Sequence, residues 1–197
     1  IIKKLDELKV YVLDVKPDII ALCESWTHDD HTSAFLSIPR YNIICRHDRN
    51  DTTSGIGGGL LLYAKSELPV TEHAMNYVYK FNQFCSVKIP MANGSTISFV
   101  LVYRPHKLYT NVSTVTENNI ELCNLIRNVH KPNIIAGDFN FSDINWETML
   151  GAAHSRAFLD TVQDCFLTQH IDFVTRITSG TMPDLVLSSD ANLICDV

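Results

Sequence analysis

Residues 131–146, KPNIIAGDFNFSDINW, pass from apolar to polar side chains within three positions. Ile134, Ile135 and Ala136 form a short continuous apolar run, the pattern of a strand buried inside an α/β sheet. Gly137-Asp138-Phe139-Asn140 follows where that strand should leave the sheet. In extended chain, residues two apart point the same way, so the Asp138 carboxylate and Asn140 amide project together while Phe139 turns to the core. Such a pair can take a proton or a cation and hydrogen-bond a phosphate oxygen. It can also be a loop in which both side chains cap backbone groups. The sequence has an upstream echo, KPDIIALCESW at 16–26, which sets Glu24 directly after another apolar run. Ligand sites gather at the C-terminal ends of strands in open α/β sheets, and oxygen ligands suit a hard cation such as Mg²⁺.

Outward from these two stretches, helices alternate with strands. Ile1, Leu5, Leu8 and Val12 recur at helical spacing over 1–15, and Pro17 stops that helix. The run IIALC at 19–23 predicts a strand buried on both faces. A strand is expected at 41–46, then a polar loop, then Gly57-Gly58-Gly59 running into LLLYA. Those glycines are read as permitting close backbone approach or a bulge. A phosphate loop would need them to open a helix followed by Lys and Ser/Thr, which LLLYA does not supply. FCSVKI (84–89) and TISFVLVY (96–103), joined through Asn93-Gly94, predict an antiparallel hairpin. A helix over 117–130 puts Leu122, Leu125, Ile126 and Val129 on one face. Another helix is expected over 155–165, a strand near HIDFV at 170–174, and a last strand from Asp184. The sum is a mixed-sheet α/β sandwich.

Other polar groups stand at strand ends. Tyr103-Arg104 closes an apolar strand, and its hydroxyl and guanidinium could contact phosphate, although a Tyr packed at a sheet rim gives the same pattern. Asp184 opens the last strand; Asp143 and Asp172 are weaker candidates. His28-Asp29-Asp30-His31 is read as a solvated loop, as are the surroundings of His47 and His106. The six cysteines lie far apart without a CxxC pair, which predicts reduced core thiols, no zinc site and a reducing compartment. Two sequons, at Asn93 and Asn111, are read as incidental. The 197 residues, 46% hydrophobic and 19% charged, fit one ordinary globular domain, and no stretch is apolar enough to span a bilayer. A net charge of −6 argues against gripping nucleic acid by charge alone and agrees with carboxylates that hold a cation.

The ordered set PDIIALCESW, GIGGGLLLYAK, LVYRP, IIAGDFNFSDINW, QHIDFVTR and PDLVLSS resembles the endonuclease/exonuclease/phosphatase superfamily, the fold of deoxyribonuclease I and the apurinic/apyrimidinic endonucleases. More narrowly it resembles the endonuclease domain of non-LTR (LINE-type) retrotransposons. The resemblance implies a four-layered α/β/β/α sandwich with two mixed, largely antiparallel sheets. It implies Glu24 as metal ligand, Tyr103, Asp138, Asn140 and Asp184 as catalytic residues, and Arg104, Asn145 and Thr175 as substrate contacts. Mg²⁺ (or Mn²⁺) would be the cofactor, and DNA and a fused reverse transcriptase the partners. An intracellular protein of nucleus and cytoplasm, without membrane contact, is implied too; oligomeric state stays open. Phosphatases of inositol lipids and sphingomyelinases share the superfamily, and a domesticated, non-catalytic binding module is a rival reading.

Family members carry an Asn in a strand ahead of the first helix and a terminal Ser-Asp-His motif. This sequence begins at Ile1 within the first helix and stops at Cys195-Asp196-Val197. The expectation is a single domain over 1–197 without the first and last strands. Loss of the acid/base pair costs on the order of 10²–10⁴ in rate. Plasmid nicking by the purified chain in Mg²⁺ is therefore expected to be weak or absent, and vigorous nicking would overturn this expectation.

Overall fold

The computed structural model describes residues 1–48, 58–75, 83–105 and 112–197. The first helix, α1 (Leu5–Val15), buries Leu5 and Val12. It ends where Lys16 turns left-handed (φ 52°) and its N–H reaches the Val12 carbonyl at 2.9 Å. Pro17 then carries the chain into β1 (Ile19–Cys23). This strand joins a three-stranded antiparallel sheet with β2 (Tyr41–His47) and β3 (Leu60–Lys65), in the order β1-β3-β2. Only β3 is buried along nearly its whole length. β1 has one partner among the described strands and leaves Ala21 exposed, so the expectation of burial on both faces is corrected by its marginal place in the sheet. His47, expected in a loop, is the last residue of β2.

The second sheet runs β4-β5-β6-β7-β9-β8, from β4 (Thr71–Glu72), β5 (Phe84–Pro90), β6 (Thr96–Tyr103), β7 (Asn133–Asp138), β8 (Thr168–Gln169) and β9 (Asp184–Ser188). The expected hairpin is β5–β6: Pro90 faces Thr96, Gly94 adopts φ 82°, and the Ser95 N–H donates to Asn93 Oδ1 at 2.9 Å. β6 and β7 are parallel, which requires a crossover, and α2 (Val112–Asn128) supplies it. α3 (Ala153–Asp164) follows β7. The strand expected over 170–174 is absent from those residues. Gln169 explains this: its side-chain amide bonds both the N–H and the C=O of Ile171, taking the place of a ladder partner.

Period-two alternation builds the layers. Leu60, Leu62 and Ala64 of β3 face one way, into a cluster with Cys85, Val87, Leu101 and Tyr103 of the second sheet. Leu61 and Tyr63 face the other way, toward Val12, Leu36 and Ile38 beneath α1. Val100 and Val102 of β6 turn outward to Leu122, Leu125, Ile126, Phe158 and Val162 of α2 and α3. Helix, sheet, sheet and helix pair are thus stacked as the resemblance implied. Among the described residues no helix is long and apolar enough to cross a membrane.

The cysteines depart from expectation. Cys45 of β2 and Cys85 of β5, with Cα atoms 6.2 Å apart across the sheet interface, are joined as a disulfide, so they are not reduced core thiols. Facing strands brought together residues 40 positions apart, which no local spacing could signal. His106, Gly57, most of the loop before it and the Asn111 sequon lie outside the described residues.

Gly137 sits where β7 meets β6 in parallel register, opposite Val102. Its φ is +143°, and a Cβ built on it would strike the Val102 backbone carbonyl. Gly137→Ala is expected to cost roughly 3 kcal/mol or more, from combined backbone strain and overpacking. Urea denaturation monitored by tryptophan fluorescence checks it.

Candidate functional site

Strand register, rather than sequence proximity, assembles the polar cluster. Tyr103 at the end of β6 is paired with Asp138 at the end of β7, and Asp138 in turn with Asp184 at the start of β9. Three side chains that chemistry singles out therefore stand in one row across the second sheet. Glu24 arrives from the other sheet. It leaves β1 with φ 52°, and the next two N–H groups, of Ser25 and Trp26, donate to the carbonyls of Gly59 and Gly58 at 3.1 Å each. Those glycines hold φ of 86° and 109°, which explains why Gly58 and Gly59 stand before LLLYA: their backbone is a docking edge for the Glu24 loop. The Tyr103 hydroxyl donates to Glu24 Oε1 at 2.7 Å and closes the gap between the sheets. Burial, then the Glu24 carboxylate, push the phenol well above its ordinary pKa, so it stays protonated and donating.

Asp138 is 7% exposed, and its pKa is raised to about 7. Burial is the main cause; the neighbouring Asp184 and, more weakly, Glu24 add to it, while Arg176 and Asn140 oppose it. Arg176 Nη2 lies 3.7 Å from Asp138 Oδ2. Asn140 departs from the extended geometry expected for Asp-Phe-Asn: at φ 52° it enters the left-handed region, although Phe139 is fully buried as foreseen. Its Nδ2 donates to the Arg104 carbonyl at 2.8 Å. Asp138 Oδ1 and Asn140 Oδ1 are buried without a hydrogen-bond partner among the described residues. Both are acceptors, so each of these two oxygens lacks a donor, and Arg176 approaches only the other Asp138 oxygen.

Arg104, expected to face a phosphate, turns inward instead. It is 6% exposed, donates through Nη1 to the carbonyls of Phe139 (3.3 Å) and Asn140 (3.2 Å), and lies 4.1 Å above the Phe141 ring. Its Nε donates to Asn119 Oδ1 at 2.9 Å, and the Asn119 amide reaches the His154 carbonyl. Thr175 lies beside the row, its hydroxyl accepting from the Asp184 N–H at 3.3 Å. Asn145 stands apart, exposed on a loop where its Oδ1 accepts from the Thr148 N–H; it shares a surface depression with Trp146 and Asp172. Asp143 is used structurally, accepting from the Ala152 N–H and the Ser155 hydroxyl at the start of α3. The backbone of the His28–His31 loop is pinned by Arg46, whose guanidinium donates to the His28 and His31 carbonyls.

A cleft of about 350 Å³ between β1 and the β7–β9 pair is lined by Leu22, Cys23, Gly137, Asp138, Ile171 and Asp184, among others. Sequence reasoning missed Arg176 and Asn119. Arg176 closes the quoted stretch QHIDFVTR and could have been noticed there. Asn119 lies mid-helix among polar residues with no signal of its own.

Residues 97–196, just over half of the chain, match the model of a family described as endonuclease-reverse transcriptase. No curated protein matches the chain significantly. Among solved structures, the AP endonuclease LMAP from Leishmania major superposes with a TM-score of 0.63 at 17% identity, covering 95% of this chain and 74% of that one. The endonuclease domain of TRAS1, a telomere-specific non-LTR retrotransposon, gives 0.64 at 15% identity, covering 96% and 80%. Truncated Caenorhabditis elegans TDP2 gives 0.55 at 11%, covering 95% and 77%. At these identities the likeness is one of fold.

The raised pKa of Asp138 has a consequence for stability. The folded state holds a proton that the unfolded chain releases above its ordinary carboxyl pKa, so this contribution is complete at low pH and lost as pH climbs through about 7. A shift of this size corresponds to at most about 4 kcal/mol. Asp138→Asn is expected to raise Tm at pH 8 and to change it little at pH 4. Differential scanning calorimetry at the two pH values decides, and equal Tm changes at both would contradict it.

Proposed function

Because the chain belongs to the endonuclease-reverse transcriptase family of the endonuclease/exonuclease/phosphatase superfamily, we propose that it hydrolyses phosphodiester bonds of DNA with a divalent cation. The nick would free a 3′ end that primes copying by the reverse transcriptase of the same element. One observation carries this reading: Tyr103, Asp138 and Asp184 stand in register and meet Glu24 from the opposite sheet, over two buried oxygens that lack donors.

The residues fit a divalent cation. Three carboxylates near one another and unsatisfied oxygen acceptors ask for positive charge, and a hard ion needs only one or two carboxylates, with water completing its shell. Glu24, oriented by Tyr103, is the ligand; Mg²⁺ or Mn²⁺ bound there supplies Lewis-acid neutralisation of charge on the scissile phosphate. Asp138, ionised, takes the proton of the attacking water, and its pKa near neutrality is suited to that exchange. Asn140 offers its second Nδ2 hydrogen to a phosphate oxygen. Asp184 keeps Asp138 basic through its negative charge, and Thr175 holds the backbone of Asp184. Arg104 is a positioning residue for the Asp138–Asn140 turn, and Asn145 would meet the strand away from the scissile bond.

A labelled duplex followed under single-turnover conditions tests the proposal. Glu24→Gln and Asp138→Asn should each lower the nicking rate by roughly 10²-fold or more, Tyr103→Phe by about tenfold, and EDTA should abolish it. The wild-type rate should rise with pH and level off as Asp138 ionises, at or below about 7 because a bound cation favours the carboxylate. Nicking indifferent to EDTA or to Glu24→Gln would overturn the mechanism. DNA binding without cleavage in Mg²⁺ and Mn²⁺, by a chain that also carries the family's N-terminal Asn and C-terminal Ser-Asp-His segments, would favour the non-catalytic module.

A further inference from the structure

Between the two sheets lies a second cluster of reactive side chains that the nuclease site does not use. Cys45 and His47 project together from β2, two residues apart, and Cys85 meets them from β5 on the facing sheet. One ligand atom from each lies within 4.8 Å of the other two. Glu72 of β4 brings a carboxylate oxygen to 3.5 Å from Cys45 Sγ. The sulfurs are enclosed, with Cys45 2% and Cys85 1% exposed among Leu60, Leu62 and Val87. His47 is half-buried and Glu72 exposed, so one side opens toward solvent.

We propose that Cys45, His47 and Cys85, with Glu72 as fourth ligand, form a zinc site that ties the two sheets together when the thiols are reduced. Two thiolates, an imidazole and a carboxylate are a borderline-soft set that suits zinc and not magnesium. Tetrahedral coordination, with Zn–S near 2.3 Å and Zn–N near 2.0–2.1 Å, separates neighbouring ligand atoms by roughly 3.3–3.8 Å, within the spacing the cluster already has. The disulfide and the metal site are alternative states of one pair. Reduction by a dithiol puts two electrons and two protons on the two sulfurs, and the dithiol leaves as its own disulfide. Zinc then displaces both thiol protons as the two metal–sulfur bonds form. In either state β2 and β5 remain cross-linked beneath Tyr103, which packs in the same apolar cluster.

Cobalt(II) titration of the metal-stripped, phosphine-reduced chain tests the site. Expected are a thiolate-to-cobalt charge-transfer band that corresponds to one cobalt at the thiolates, the visible absorption of a tetrahedral site, and loss of both on adding Zn²⁺. The charge-transfer band needs thiolate ligands, so cobalt at Glu24 stays silent in it. Cys85→Ser, which leaves only the Cys45 thiolate, should lower the band by roughly half or more. His47→Ala, which leaves the cysteine pair able to oxidise, should weaken cobalt binding by at least about tenfold. Its far-UV circular dichroism and its ability to form the disulfide report that it has folded. Zn²⁺ should raise the Tm of the reduced chain by more than that of the oxidised chain, which keeps only the Glu24 site for a divalent ion. A reduced, folded wild type without the band, the same band in Cys85→Ser, or unchanged cobalt affinity in folded His47→Ala would each overturn the site.

Discussion

The parallel pairing of β6 with β7 is the constraint from which the rest of the molecule follows. It sets Tyr103 against Asp138, and through β9 it extends the row to Asp184. Its parallel sense obliges the chain to cross over the sheet, and α2 does so while covering Val100 and Val102 with Leu122, Leu125 and Ile126. The pairing is possible at its polar end only because Gly137 has no side chain to press on the Val102 carbonyl. A residue without apparent chemistry thus fixes the register of those that have it.

Holding the end of β7 in place falls to Arg104. A buried guanidinium is costly unless its donors are met. Here they are spent on the carbonyls of the turn after Asp138 and on Asn119, and the ring of Phe141 lies beneath. Two contacts bind the sheets at the same end: the Tyr103–Glu24 hydrogen bond, and the Cys23 thiol donating to the Val102 carbonyl at 3.3 Å. Burial and nearby carboxylates keep that thiol protonated, with its pKa pushed up to about 12. The backbone around the carboxylates is therefore held by hydrogen bonds from both sheets, while the carboxylates themselves are crowded. Stability given up at Asp138 is the pattern of a site arranged to bind charge rather than to fold well.

What was legible in the sequence was local. Period-two and helical spacing located the β5–β6 hairpin, the buried face of α2 and the apolar runs of β1 and β7. Where a side chain competed with the backbone, local pattern failed. Gln169 took the bonds that would have extended β8 into 170–174, and Asn140 left the extended geometry that its spacing from Asp138 suggested.

By itself the sequence determined the alternation of elements, the polar residues at strand ends and the family they resemble, because each is written in runs of a few residues. Only the tertiary structure decided which of those ends meet. The Tyr103–Glu24 bond spans 79 positions and the Cys45–Cys85 pair 40, and both exist because two sheets pack face to face. Packing also turned Arg104 inward and brought Arg176 to Asp138. Spacing along a chain carries no information about contacts across a sheet interface; register and layer order supply it.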